Sequence, residues 1–142
     1  MSDNKSRYST SLYIYSSALS AKEITDMLAT EPTKSHEKGT PMSSRNPNSR
    51  IRQGSSWILD SKLNEEEPLS AHLEQLLSFI EERTNEFEKL LEVCEMDIYC
   101  GFFSNEKSGQ FVLSPNLIKR LTVIPIEVIV ILYPPISNSG DE

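Results

Sequence analysis

The sequence predicts an α+β domain in which a single, mostly antiparallel sheet has helices packed on one face, a ferredoxin-like arrangement or an elaboration of it. Three observations lead to this prediction. Segments with alternating apolar and polar residues, typical of strands, are interleaved with segments of helical periodicity. Their order is strand, helix, long loop, strand, helix, strand, short strand, helix, strand. A length of 142 residues fits one domain with one hydrophobic core.

The first predicted strand follows a polar N-terminus, residues 1–7, that we expect to be disordered. The domain itself is predicted to start at residue 8. Leu12 and Ile14 share one face of the strand, while Tyr13 and Tyr15 share the other. We expect the tyrosines to pack under a loop or helix with their hydroxyl groups in water.

A short helix and a long basic loop come next. The helix is predicted to start at the capping box of Ser20 and Glu23 and to end before Pro32. Residues 33–54 then form a loop that prolines and glycines exclude from regular structure. Because the chain as a whole carries a net charge of −7, the basic composition of this loop makes it a candidate anion-binding segment. Its candidate residues are Lys34, Lys38, Arg45, Arg50 and Arg52.

The strongest helical signal follows a second strand, in which Trp57 faces one side and Ile58 the other. Pro68 suits the first helical position, where its missing N–H is not needed. Apolar residues then keep to one stripe over residues 69–92, with a predicted break at residues 83–85. The stripe indicates core packing, and the opposite, glutamate-rich face is solvated.

The C-terminal third is predicted to hold two strands, a hairpin return and a helix. Alternating residues 94–102 and the short return strand 110–113 form a hairpin, and Ser114 caps the following helix. Residues 126–133 form the last strand, which is apolar on both faces. We therefore expect a loop, a helix or a second copy of the protein to cover it. The domain ends at residue 134, and residues 135–142 form a tail that we expect to be disordered.

The cysteines and the absence of long apolar segments predict a cytoplasmic protein. Cys94 and Cys100 lie on one strand, about 20 Å apart, so they cannot form a disulfide with each other. No apolar run approaches the roughly 18 residues needed to span a membrane, and the N-terminus lacks the pattern of a signal peptide.

Motifs that carry chemistry are missing from the sequence. There is no C-x-x-C, no H-x-x-x-H and no phosphate-binding glycine motif, so we predict no metal, no cofactor and no catalytic residues. An enzyme whose groups meet only in space stays a third interpretation. The net charge of −7 argues against nucleic acid as a partner.

Several segments together carry a family resemblance. The order ITDMLATEPTKSHEKGT, a variable basic segment, SSWILDS, HLEQLLSFIEE and SPNLIKRL resembles a bacterial family catalogued as domain of unknown function 4279. The resemblance covers about residues 12–133. It implies a small bacterial α+β protein, and it brings no established activity, substrate or catalytic residues.

Two functions from different classes remain open. The first is a non-enzymatic protein-binding module, such as an immunity protein that neutralises a basic toxin. Its partner would bind an acidic helix face formed by Glu74, Glu81 and Glu82. The alternative is a small-ligand-binding or regulatory domain, in which the basic loop closes over an anion near Trp57, Tyr13 and Tyr15. A homodimer is compatible with either function.

Overall fold

The computed structural model describes residues 6–105 and 109–134 and contains seven strands and four helices. The strands are β1 (Arg7–Ser16), β2 (Lys34–His36), β3 (Pro41–Ser43), β4 (Asn46–Ile51), β5 (Ser55–Asp60), β6 (Glu95–Phe103) and β7 (Glu127–Tyr133). The helices are α1 (Ala21–Leu28), α2 (Leu69–Glu81), α3 (Thr84–Leu91) and α4 (Pro115–Leu121).

Most residues of the two termini that we expect to be disordered are outside the described ranges. Residues 1–5 and the tail 135–142 lie outside the described residues. Arg7, which we expected to be disordered, instead opens β1 and pairs with Phe103 of β6.

Five strands form one mixed sheet in the order β2-β5-β1-β6-β7. The central strand β1 is antiparallel to both β5 and β6, and β2 is antiparallel to β5, whereas β7 runs parallel to β6. Strands β3 and β4 form a separate two-stranded sheet. The mixed α+β class is thus confirmed, while a single antiparallel sheet and a ferredoxin-like fold are not.

The parallel pair at the end of the sheet corrects the predicted hairpin. Residues 110–113 form no strand, and the chain instead enters α4, where the hydroxyl group of Ser114 accepts a hydrogen bond from the amide of Leu117 at 3.1 Å. A helix between two strands carries the chain back to the end of the sheet from which β6 started, so β7 runs parallel to its neighbour.

The helices and one face of the sheet enclose the core. Leu12 and Ile14 of β1, Trp57 of β5 and Ile98 of β6 are at most 1% exposed and belong to one apolar cluster with the helices. The other face, which we call the open face, has no described helix or strand packed over it. Expected alternation along β1 and β5 is confirmed, but Tyr13 and Tyr15 remain about two-fifths exposed, with no helix over them among the described residues.

Both cysteines are free thiols, as expected from their spacing. Cys100 lies on the core face of β6, and burial raises the pKa of its thiol to about 11. Cys94 lies just before β6 and is half-buried. Burial raises the pKa of its thiol as well, and this effect exceeds that of a hydrogen bond with Ser16, which lowers the pKa.

Capping and the helix break follow the sequence signals. The hydroxyl group of Ser20 accepts from the amide of Glu23 at 3.0 Å, and the Glu23 carboxylate accepts from the amide of Ser20 at 2.8 Å. The predicted break is confirmed, because α2 ends at Glu81 and α3 begins at Thr84. Arg83 lies in the gap, where its guanidinium stacks over the Phe79 ring at 4.0 Å.

The basic loop is more regular than its composition suggests. Residues 33–54 contain β2, β3 and β4, which corrects the expectation that prolines and glycines exclude regular structure. Pro41 is accommodated as the first residue of a short strand, where a missing N–H is tolerated. Gly39 supplies the turn before it with φ of 87°. The segment is also tied to the main sheet, since the Thr33 amide donates to the Ile58 carbonyl at 2.8 Å.

Candidate functional site: the open face of the sheet

One row of side chains crosses the open face over all five strands. In the order of the sheet the row reads Lys34, Ile58, Tyr13, Asp97 and Glu127, each paired in register with the next. With neighbouring strands about 4.8 Å apart, its two ends are about 19 Å apart. The row therefore passes from a cation through an apolar and aromatic centre to two carboxylates.

Aromatic side chains occupy the centre and one end of the open face. Tyr13 and Tyr15 are 39% and 40% exposed, and the ring of Tyr13 lies 5.7 Å from that of Tyr99. Phe103 and Tyr133 stack at 4.5 Å between ring centroids on β6 and β7. Tyrosine combines apolar contact area with a hydroxyl group that remains hydrated, which suits a surface that binds another protein.

Tyr15 is held by a close approach to the chain before β5. A Cβ atom at Gly54 would lie 2.5 Å from the ring of Tyr15 and 2.8 Å from the carbonyl oxygen of Ser16. Only glycine fits this position without displacement of its neighbours. The missing side chain thus allows the ring to lie against the backbone.

Three carboxylates, Glu95, Asp97 and Glu127, form what we call the acidic cluster. Burial raises the pKa of Asp97, and the negative charges of Glu127 and Glu95 raise it further. No cation of residues 6–105 or 109–134 forms an ion pair with any of the three. The cluster is a concentration of negative charge whose repulsion a cationic group would relieve.

Three basic residues, Lys34, His36 and Arg52, form what we call the basic cluster at the β2 edge. Burial lowers the pKa of His36, and the positive charges of Arg52 and Lys34 lower it further. Within the described chain, neither Lys34 nor Arg52 has a carboxylate partner in an ion pair. His36 pairs in register with Ser56, which is also the partner of Tyr15, so the cluster adjoins the tyrosines.

The predicted anion-binding residues are thus only partly brought together. Lys34 and Arg52 meet near His36, while the ammonium group of Lys38 donates to the Ser17 carbonyl at 3.2 Å. The other two predicted residues, Arg45 and Arg50, lie in the turn and second strand of the β3–β4 hairpin.

Glu37 anchors the segment that carries the basic cluster. Its carboxylate accepts hydrogen bonds from the amides of Ala21 and Lys22 at 2.9 and 3.1 Å and from the hydroxyl group of Ser55 at 3.1 Å. Burial raises the pKa of Glu37, but these hydrogen bonds outweigh it and leave the pKa below its ordinary value. The segment is therefore joined both to the N-terminus of α1 and to the start of β5.

The acidic helix face predicted to bind a partner is partly neutralised within the chain. Arg120 of α4 donates to both carboxylate oxygens of Glu81, at 2.9 and 3.0 Å, and lies 3.9 Å from Glu74. Glu82 forms an ion pair with Arg83 at 3.4 Å. All three glutamates lie on α2 or at its C-terminal end, but they are not a free negative surface.

Trp57 needs a correction as a neighbour of a ligand on the open face. Its side chain is 0% exposed on the core face, and its indole N–H donates to the hydroxyl group of Thr25 at 2.9 Å. Alternation along β5 puts it on the side of the sheet opposite to Tyr13.

Sequence reasoning missed a polar cleft between the first half of β1 and the residues after β5. The cleft measures about 260 Å³, and its lining includes Ser61 and His72. The hydroxyl group of Ser61 hydrogen-bonds to Nδ1 of His72, a histidine that is 1% exposed. A histidine inside the leucine stripe of α2 gave no sequence signal, and only the fold brings Ser61 to it.

The serine–histidine contact differs from a serine protease triad in the described part of the chain. Burial lowers the pKa of His72. Backbone hydrogen bonds with Asn64 and Glu67 raise it, but burial has the larger effect. Nε2 of His72 makes no hydrogen bond of good geometry, so no carboxylate orients the ring as in a serine protease triad. A carboxylate that does line the cleft, that of Asp60, accepts a hydrogen bond from the hydroxyl group of Ser11 at 2.5 Å.

Within residues 6–105 and 109–134, no three His, Cys, Asp or Glu side chains cluster in a way that could hold a metal ion. No helix there combines the length and the apolar character needed to cross a membrane.

The fold and site define an α+β domain with a one-sided helical layer and an exposed sheet face. The family model described as Domain of unknown function (DUF4279) matches residues 6–135. The chain therefore belongs to this family, and the resemblance found in the sequence is confirmed. No curated protein matches the chain, and no solved structure does.

Proposed function

We propose that this protein is a non-enzymatic protein-binding module of the bacterial cytoplasm that contacts its partner through the open face of the sheet. The observation that most supports the proposal is the uncovered row from Lys34 to Glu127, with exposed tyrosines beside it. Within this class we favour an immunity-type protein that neutralises a basic toxin.

The arrangement of the open face suits recognition of a protein. Tyr13 and Tyr15 offer large contact areas at a small cost in side-chain entropy, and aromatic residues often carry most of the binding energy of an interface. Opposite charges at the two ends of the face fix the orientation of a partner and speed its association. A basic side chain of the partner would relieve repulsion within the acidic cluster.

The acidic helix face is the less suitable of the two surfaces. A basic partner would have to compete with Arg120 for Glu81 and with Arg83 for Glu82. The carboxylates of Glu95, Asp97 and Glu127 have no such competitor among the described residues. We therefore move the proposed binding surface from α2 to the sheet.

Site-specific photo-crosslinking tests both the function and the surface. A photoreactive phenylalanine would replace Tyr13 or, in a separate variant, Glu82, in the full chain expressed in its own organism. We expect position 13 to form an adduct with one heterologous protein and position 82 to form none. An adduct from position 82 alone would assign binding to the helix face, and no adduct from either would overturn the protein-binding function.

The captured partner then allows the charge argument to be tested. Asp97→Lys should weaken its binding at least tenfold, because the acidic cluster loses one negative charge and gains a positive one. The matched control, Glu82→Lys, should leave the affinity unchanged. Equal losses for both variants would point to an effect of net charge and contradict binding at the open face.

A second candidate function is the binding of a small anion at the basic cluster. Burial lowers the pKa of His36 there, and the positive charges of Arg52 and Lys34 lie close enough to lower it further. Neither Arg52 nor Lys34 has a carboxylate partner in an ion pair in the described chain. Inorganic phosphate would serve as the probe, and its stabilisation of the protein would be measured as a shift in melting temperature. Arg52→Ala should abolish that shift, and Lys119→Ala on α4 should preserve it. A shift that survives Arg52→Ala would remove this candidate.

A further inference from the structure

The last strand of the sheet, β7, has one neighbour and one open side. In the sheet order β2-β5-β1-β6-β7 it pairs only with β6 among the described strands. The Ser104 amide donates to the Tyr133 carbonyl at 3.0 Å, so the backbone of Tyr133 faces β6. Because backbone groups alternate along a strand, those of Val128, Val130 and Leu132 face outward. They offer a row of donors and acceptors to another strand.

The side chains of β7 are apolar on both faces of the sheet and are substantially exposed. Val130 and Leu132, on the face of the helices, are 40% and 59% exposed, and Tyr133, on the open face, is 41% exposed. Glu127 is the only charged residue of the strand. We expected a loop, a helix or a second copy to cover this strand. Val128, near its start, packs against the core, but no loop or helix in the described ranges buries Val130 or Leu132.

The opposite edge of the sheet shows how an exposed edge is normally protected. Strand β2 is three residues long and includes Lys34 and His36. Short length and charged side chains prevent unwanted pairing at sheet edges. Strand β7 has seven residues with no lysine and no internal proline. An edge of this kind is suited to pair with another strand.

We propose that β7 pairs antiparallel with β7 of a second copy of this chain, about a twofold axis at Val130. In this register Val128 lies opposite Leu132 of the second copy, and Ile129 lies opposite its Ile131. Glu127 lies opposite Tyr133. The dimer would have one continuous sheet of ten strands, with both open faces on the same side.

The hydrogen-bonding pattern of β7 supports this register. The twofold axis pairs Val130 with itself and pairs Val128 with Leu132, and these three residues have outward-facing backbone groups. Each such pair in an antiparallel ladder exchanges two hydrogen bonds, which gives about six in all. A shift by one residue would place outward-facing groups opposite inward-facing ones and would lose this match.

The side chains and the ends of the strand also favour a second copy. The five apolar residues from Val128 to Leu132 each meet an apolar residue across the axis. Tyr133 lies opposite Glu127, and the two Glu127 carboxylates lie at opposite ends of the paired strands. Pro125 and Pro134 flank the strand, so the register centred on Val130 uses its full length. The chain beyond it, residues 135–142, has Ile136 as its only large apolar residue and does not match the apolar pattern of β7.

Sedimentation velocity of the full chain tests the dimer. We expect the wild type to be a dimer at about 20 µM. Val130→Lys places two lysines opposite each other at the axis, so this variant should be monomeric, with a dissociation constant at least 100-fold higher. The matched control is Met42→Lys, because Met42 is an exposed apolar residue, 54% accessible, in the β3–β4 hairpin. It should leave the dimer intact.

Cysteine crosslinking tests the register and does not depend on a folded Val130→Lys variant. In a Cys94→Ala background, Val130→Cys should oxidise to a covalent dimer, because Cα atoms of a hydrogen-bonded pair are about 5.5 Å apart and within disulfide range. Leu132→Cys should not, because it lies opposite Val128.

Each outcome decides the proposal. A wild-type chain that stays monomeric up to about 500 µM, a dimer that survives Val130→Lys, or crosslinking through Leu132→Cys but not Val130→Cys would overturn it. A stable complex of β7 with a strand of another protein in place of the dimer would overturn it too. Failure here leaves the proposed function standing, since the photo-crosslinking at Tyr13 does not depend on the oligomeric state.

Discussion

The two faces of the sheet are built from alternate residues of the same strands, yet they differ in almost every physical property. On β5, Trp57 is completely buried beneath the helices while the next residue, Ile58, is only half-buried on the open face. On β6 the same relation holds between Ile98 and Tyr99. The comparison teaches that stability resides mainly on the covered face, and that the open face contributes less to it.

The faces also differ in how their polar groups are satisfied. On the covered side the Trp57 indole N–H donates to the hydroxyl group of Thr25, and Nδ1 of His72 is hydrogen-bonded to Ser61, although Nε2 of the same ring makes no hydrogen bond of good geometry within the described chain. On the open side the carboxylate of Asp97 lies between other carboxylates and has no cationic partner among the described residues. Charges that the chain does not pair internally are available to another molecule.

The largest expected difference between the faces is in the free energy of unfolding. Trp57→Ala should lower it by about 3–5 kcal/mol, because a fully buried aromatic side chain is lost from the core. Ile58→Ala, one residue further on the open face, should lower it by about 1 kcal/mol or less. Urea denaturation followed by circular dichroism measures both, and equal losses would contradict the division between the faces.

A smaller loss is expected from overpacking on the open face. Gly54→Ala should cost about 1–3 kcal/mol, because the new methyl group would overlap the Tyr15 ring and the Ser16 carbonyl. Adding Tyr15→Ala separates these two contacts. Recovery of stability in the double variant would assign the cost to the ring, whereas no recovery would assign it to the rigid backbone oxygen. A fully stable Gly54→Ala protein would show that the close packing of Tyr15 is not needed.

The smallest effect is a dependence of stability on pH from the covered side. Burial lowers the pKa of His72, so the folded protein keeps the ring neutral at pH values where the unfolded chain takes up a proton. The free energy of unfolding should therefore fall as pH drops below the ordinary histidine pKa of about 6.5. Urea denaturation at pH 7.5 and at pH 5.5 measures this fall.

Variants at the two histidines of the chain identify the group that makes the free energy of unfolding depend on pH. His72→Gln should reduce the fall in stability between pH 7.5 and 5.5. The pKa of His36 is lowered as well, so His36→Gln should remove a separate part of the same fall. A fall that neither variant changes would assign it to the carboxylates instead.

Local signals in the sequence predicted most individual elements. Alternation predicted the faces of β1, β5 and β6, the capping box predicted the start of α1, and Ser114 predicted the start of α4. These predictions succeeded because each depends on residues within a few positions of one another. The leucine stripe and its break between α2 and α3 were predicted from local signals of the same kind.

Features that depend on distant residues were missed or mispredicted. Strands β2, β3 and β4 contain few apolar residues and form through pairing with partners, so composition pointed to a loop. Residues 110–113 have the apolar character of a strand, but α4 takes the chain away before it can pair with β6. Neither the open face nor the meeting of Ser61 with His72 has a local signature.

The central position of β1 has a consequence for how the protein is made. It leaves the ribosome before both of its partners, β5 and β6. Ile14 of β1 therefore cannot pair with Met96 of β6 until that later strand has been made. Until that point both edges of an alternating, tyrosine-rich strand are unsatisfied. Nascent chains therefore have a long interval in which β1 is open to misassociation, and a protein that binds such edges during synthesis would protect this chain most before residue 103 has emerged.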